Sequence, residues 1–169
     1  MTATTDGTEQ GPTAGGSSIV RAAHRHDLMT VLPAVPASLP QVRALLRGWL
    51  AEHSWPVCGA EDIELAVNEA ITNVIEHAYP PDAPGTAILH AWVSVDPLGS
   101  TRRVVATVVD RGRWAAHHPG DHPLFARGHG LVVMSGCLAE LHIQRSTAGT
   151  SVIMVSAAAP PGSDDAARR

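Results

Sequence analysis

The run Glu69-Ala70-Ile71-Thr72-Asn73-Val74-Ile75-Glu76-His77-Ala78-Tyr79 decides the reading of this chain. It closes a helical pattern that opens at Gly59 and stops before Pro80 and Pro81. Ile63, Ala66, Val67, Ala70, Ile71, Val74 and Ile75 fall three and four apart, so one face of the helix is apolar and packs on a core. Glu69, Asn73 and His77 recur every fourth residue and form a polar row beside that stripe. A carboxylate and an amide oxygen one turn apart are hard oxygen donors of the kind Mg²⁺ accepts. Taken alone, such a pair is more often a solvated helix face. Glu61 and Asp62 are expected in the first turn, where the positive end of the helix dipole favours acids.

Working outward, Leu28 to Leu32 reads as an edge strand closed by Pro33, and Ser38 to His53 as an amphipathic helix with Ser38 as its cap. Thr86–Val95 and Arg103–Val109 are β-branched runs separated by a turn at Pro97, Leu98 and Gly99. The stretch from Asp110 to Arg127 reads as a long functional loop, and Gly128 to Leu138 as a helix entered through glycines. Leu141 to Gln144 and Ser151 to Ser156 form a closing hairpin around Thr147, Ala148 and Gly149. Strands and helices in this order predict an α+β fold: a two-layer sandwich with a mixed, mostly antiparallel sheet and helices on one face.

At 169 residues and 44% hydrophobic, the chain suits one domain with a real core. Residues 1–18 and 159–169 are rich in small and polar residues and are expected to be tails around a domain over 19–158. A net charge of -4 argues against a nucleic-acid partner. Cys58 and Cys137 lie in no metal-ligand spacing and suit a reducing cytoplasm, and neither a membrane span nor a signal pattern is present.

Other boxes follow the helix row. Asp110-Arg111-Gly112 stands at a strand end, Gly128-His129-Gly130-Leu131 opens a helix, and Gly149-Thr150 lies in the last hairpin. A strand-end carboxylate can accept a hydrogen bond from an exocyclic amine such as that of adenine. Glycines at a helix start can turn backbone N–H groups toward a polyphosphate. Each box alone is an ordinary turn or loop entry, whereas their order is specific.

In that order the boxes resemble the Bergerat-type (GHKL) ATPases, and within them the anti-sigma-factor serine/threonine kinases related to RsbW. The resemblance covers most of the chain between Leu28 and Val155. It implies Asn73 as Mg²⁺ ligand, Asp110 as adenine contact supported by Thr150, and Gly112 beside the base. It also implies Gly128, Gly130 and Leu131 on the phosphate loop, and Glu69 as general base toward a serine or threonine hydroxyl. ATP and Mg²⁺ are the implied cofactors. The implied partners are a sigma factor, a small antagonist protein that receives the phosphate, and a second copy in a homodimer. One departure stands out: Trp114 occupies the position where many of these ATPases carry a further glycine, so the indole is expected on the pocket floor or over the nucleotide.

The competing class is a nucleotide-binding module that holds a regulator without transferring phosphate, against which Glu69 counts. A third reading, the catalytic piece of a histidine kinase, lacks a preceding helix with a phosphoacceptor. His117, His118, Asp121, His122 and His129 crowd the long loop, but their irregular spacing favours solvated side chains over a metal site. His77 is expected to cap or pack at its helix end and Cys137 to act as a small hydrophobe, while Arg111, Arg113 and Arg127 are the cations near the phosphates, each read either as a surface arginine or as a phosphate contact.

Overall fold

A computed structural model describes residues 27–114 and 129–162. The elements run β1 (Leu28–Pro33), α1 (Ser38–Glu52), α2 (Val57–His77), β2 (Thr86–Val95), β3 (Arg102–Asp110), α3 (His129–Cys137), β4 (Glu140–Ser146) and β5 (Gly149–Val155). The strands form one sheet in the order β1-β2-β3-β5-β4, so β5 is inserted between β3 and β4. Among the described residues every pairing is antiparallel, so the sheet is antiparallel throughout rather than mixed. Antiparallel pairing of β3 with β5 places Val109 opposite Ser151, so Asp110 at the end of one strand meets Gly149 and Thr150 at the start of the other.

The core explains why the helices take one face. Ala87, Leu89 and Ala91 of β2, Val104, Ala106 and Val108 of β3, and Val152 and Met154 of β5 alternate inward, and all are buried. Val42, Leu46, Trp49 and Leu50 of α1 and the predicted stripe of α2, from Ile63 to Val74, close over them. Each large side chain taken fully from water contributes about 1.5–3 kcal/mol, which outweighs the modest intrinsic propensity of these helices. Met134 does the same for α3, being fully buried in an otherwise open helix. Among the described residues no helix is long and apolar enough to cross a membrane.

Both helix starts differ from expectation. Ala37 is the N-cap of α1 and no side chain caps it, while Ser38 is the first helical residue and its hydroxyl donates to Pro33 O at 2.8 Å. The serine therefore ties the helix to the end of β1. The second helix begins at Val57, directly after Pro56, so Glu61 and Asp62 stand in its second turn, beyond the reach of the dipole effect assigned to them.

Two polar devices fix the ends. The Asp96 carboxylate accepts N–H bonds from Leu98, Ser100 and Thr101 and both neighbouring hydroxyls, and the Thr101 and Ser100 bonds hold it well below the usual carboxylate range. Gly99 completes that turn in the left-handed region at φ 64. Arg102 is buried and has carbonyls as its partners: it donates to His53 O at 2.6 Å, Ser54 O at 2.8 Å and Pro160 O at 2.8 Å, and its guanidinium lies 4.9 Å from the Trp55 ring. Ala159 pairs with Arg102 as a bridge, so the packed chain runs past the boundary expected at 158.

Candidate functional site

Glu69 and Asn73 sit half-buried on the α2 face that turns toward α3. Gly130, in the first turn of α3, lies against both of these side chains. A Cβ at Gly130 would stand 2.8 Å from Glu69 Oε2 and 3.8 Å from both Asn73 side-chain polar atoms. The missing side chain thus leaves a small space bounded by a carboxylate, an amide and the start of a helix. Leu131, also expected at the phosphate loop, is 37% exposed in the same turn. Gly128 and Arg127 lie outside the described residues, as do His117, His118, Asp121 and His122 of the long loop.

Asp110 forms the second half of the site. It is 2% exposed, so its carboxyl group must find partners within the protein. It finds three. Gly112 N–H donates to Oδ1 at 2.9 Å, Thr150 N–H donates to the same oxygen at 3.4 Å, and the Trp114 indole N–H donates to Oδ2 at 3.0 Å. Thr150 reaches Asp110 because Gly149 lets the start of β5 come against it. That glycine has φ 130, and a Cβ on it would overlap the Asp110 carbonyl oxygen.

The expected support of Asp110 by Thr150 is a backbone contact, and Gly112 is constrained by space rather than by its dihedrals. A Cβ at Gly112 would collide with the Ala78 carbonyl oxygen at the end of α2. The same carbonyl accepts the Arg113 N–H at 2.9 Å. One residue on, the Tyr79 hydroxyl donates to Thr86 O and accepts from Arg111 N–H, both at 2.9 Å. Ala78 and Tyr79 therefore clamp the chain leaving Asp110 onto the helix that carries Glu69 and Asn73. Their place after His77 is visible in the sequence, but these roles are not, since both rest on backbone atoms that periodicity does not mark.

Trp114 links the two halves. Its ring is 5.6 Å from the His77 imidazole and 5.0 Å from the Arg145 guanidinium of β4. A line of contacts thus runs from Gly130 through Glu69 and Asn73, along α2 to His77, and through Trp114 to Asp110 and Thr150. His77 is exposed at its helix end, 3.7 Å from the Glu76 carboxylate. Cys137 is half-buried, and burial, with Asp62 nearby, pushes its thiol up, which fits a small hydrophobe rather than a nucleophile. Among the described residues no group of three His, Cys, Asp or Glu side chains could hold a metal ion. A shallow groove between α1 and α2, crossed by Arg47–Glu64 and Arg43–Asn68 hydrogen bonds, contains none of the candidate residues.

The chain matches the family model described as "Histidine kinase-like ATPase domain" over residues 32–156. It is similar to the serine-protein kinase RsbW of Bacillus velezensis, at 29% identity over 130 residues covering 73% of this chain and 80% of the relative. The RsbW of Bacillus subtilis is 28% identical over the same shares. Among solved structures, the RsbU and RsbW domains of a Mycobacterium tuberculosis protein superpose with a TM-score of 0.59 at 27% identity, over 80% of this chain and 34% of the other. The likeness therefore spans about a third of that longer protein.

Proposed function

The chain belongs to the histidine kinase-like ATPase domain family as an RsbW-like member, and from that premise we propose that it is an ATP-dependent serine/threonine kinase acting in partner switching. In this reading it holds a sigma factor in the cytoplasm and phosphorylates a small antagonist protein. The observation that supports it most is the clamp on Asp110. Gly112 and Thr150 both donate to Oδ1, which orients the second carboxyl oxygen toward a ring donor, the role an adenine amine would fill.

The remaining roles follow from position. Backbone N–H groups near Gly130, with Leu131 beside them and Gly128 before them, would receive phosphate oxygens at the start of α3. The space left by Gly130 beside Asn73 and Glu69 is compatible with Mg²⁺, with the Asn73 amide oxygen as ligand; the ion, when bound, neutralises phosphate charge. Glu69 accepts the proton of the partner's hydroxyl as that oxygen bonds to the γ-phosphorus and the bond to the bridging oxygen breaks, releasing ADP. A homodimer would use the sheet face away from the helices, where Met29 and Val31 of β1 are 68% and 58% exposed.

The alternative is a nucleotide-binding module that sequesters its partner without phosphotransfer, which the same Asp110 clamp would serve equally. Incubating the purified chain with γ-³²P-labelled ATP, Mg²⁺ and a cognate antagonist decides between them. Label on a serine or threonine of the antagonist is the expected result. Bound ATP with no transferred label would leave the sequestering module.

A further inference from the structure

We propose that the Trp114 side chain is a built-in competitor for the adenine seat, so that nucleotide enters only as the indole leaves Asp110. The inference rests on the reading of Asp110 as the adenine contact. A planar heteroaromatic ring whose N–H donates to Asp110 Oδ2 at 3.0 Å offers that carboxyl group what an exocyclic purine amine would offer. With Oδ1 taken by Gly112 and Thr150 and the group buried, the indole fills the approach to Oδ2 that a purine amine would need.

The indole is held by more than this bond. Arg145 lies over its face at 5.0 Å, and the tilted His77 ring flanks it at 5.6 Å, so cation–π attraction and ring packing both favour the seated position. Arg145 and His77 come from separate elements, β4 and the end of α2, which makes the arrangement a property of the folded domain rather than of one loop. A protein whose binding-competent state is a minor fraction shows an affinity reduced by that fraction. Trp114 thereby sets the ATP concentration at which the site fills, and a partner that draws the indole off Asp110 would raise nucleotide occupancy without touching the nucleotide.

Calorimetric titration of Mg·ATP into the native chain, Trp114→Ala and Trp114→Phe tests this. Trp114→Ala is expected to bind at least about tenfold more tightly than native, equal to about 1.4 kcal/mol. Trp114→Phe, which keeps a ring but no donor, should fall between. The Trp114 indole N–H resonance of the native chain, assigned by its loss in Trp114→Phe, should move when ATP is added. Equal or weaker binding by Trp114→Ala, or an indole resonance unmoved in a native chain that binds ATP, would overturn the proposal while leaving the nucleotide site intact. Absence of binding in all three folded proteins would instead remove the adenine reading of Asp110, and the proposal with it.

Discussion

Glu69→Gln is expected to lower phosphotransfer to the antagonist by about 10²–10⁴-fold while ATP affinity stays within about twofold of native. The amide keeps the size and hydrogen-bonding reach of the carboxylate but cannot take the proton of the attacking hydroxyl. The contrast with Asn73 one turn away is informative: loss of the amide oxygen should weaken Mg²⁺-dependent ATP binding itself. Glutamine matches glutamate in size, so the side chain should keep its place beside Gly130 without rearrangement. Single-turnover transfer from pre-bound ATP, compared with binding measured separately, resolves the two effects. Transfer within tenfold of native would show that the base lies elsewhere.

Gly112→Ala is expected to destabilise the domain by about 1–3 kcal/mol and to weaken ATP binding at least tenfold. The added methyl meets the Ala78 carbonyl, a backbone atom at the end of a packed helix that cannot rotate away as a long side chain would. Relief requires the 111–113 segment to lift. That breaks the Arg113 bond to Ala78 O and pulls the Gly112 N–H off Asp110 Oδ1, leaving a buried carboxyl oxygen short of a donor. Thermal denaturation with and without ATP measures both effects. A variant as stable as native would mean that the chain leaving Asp110 is not held against α2.

Much of this was legible in the sequence because burial imposes a period. The α2 stripe, the α1 face, β2 in full and the closing hairpin all follow from spacing of apolar residues. Helix starts were less legible. Ser38 carries the residue type of a cap but spends its hydroxyl on Pro33, a choice made by tertiary packing. Cys58 and Gly59 disguise the opening turn of α2, which Pro56 in fact initiates. The neighbours of β5 were not legible either, since strand order depends on which edge a returning hairpin finds, and that order is what joins Thr150 to Asp110. The site boxes could be ordered along the chain, yet the clamps made by Ala78 O and the Tyr79 hydroxyl involve atoms whose roles no residue type announces. The same holds for Arg102, whose composition says surface and whose carbonyl partners hold it inside.

Mg·ATP titration of the native chain beside Asp110→Asn decides whether Asp110 and the Asn73 row form one nucleotide site. The amide keeps one acceptor oxygen but puts an N–H₂ donor on a group now surrounded by donors, so binding of ATP should be saturable and Mg²⁺-dependent in the native chain and at least tenfold weaker in the variant. Equal ATP affinity in the two folded proteins, or none in the native chain at millimolar ATP, would mean that Asp110 belongs to no nucleotide site.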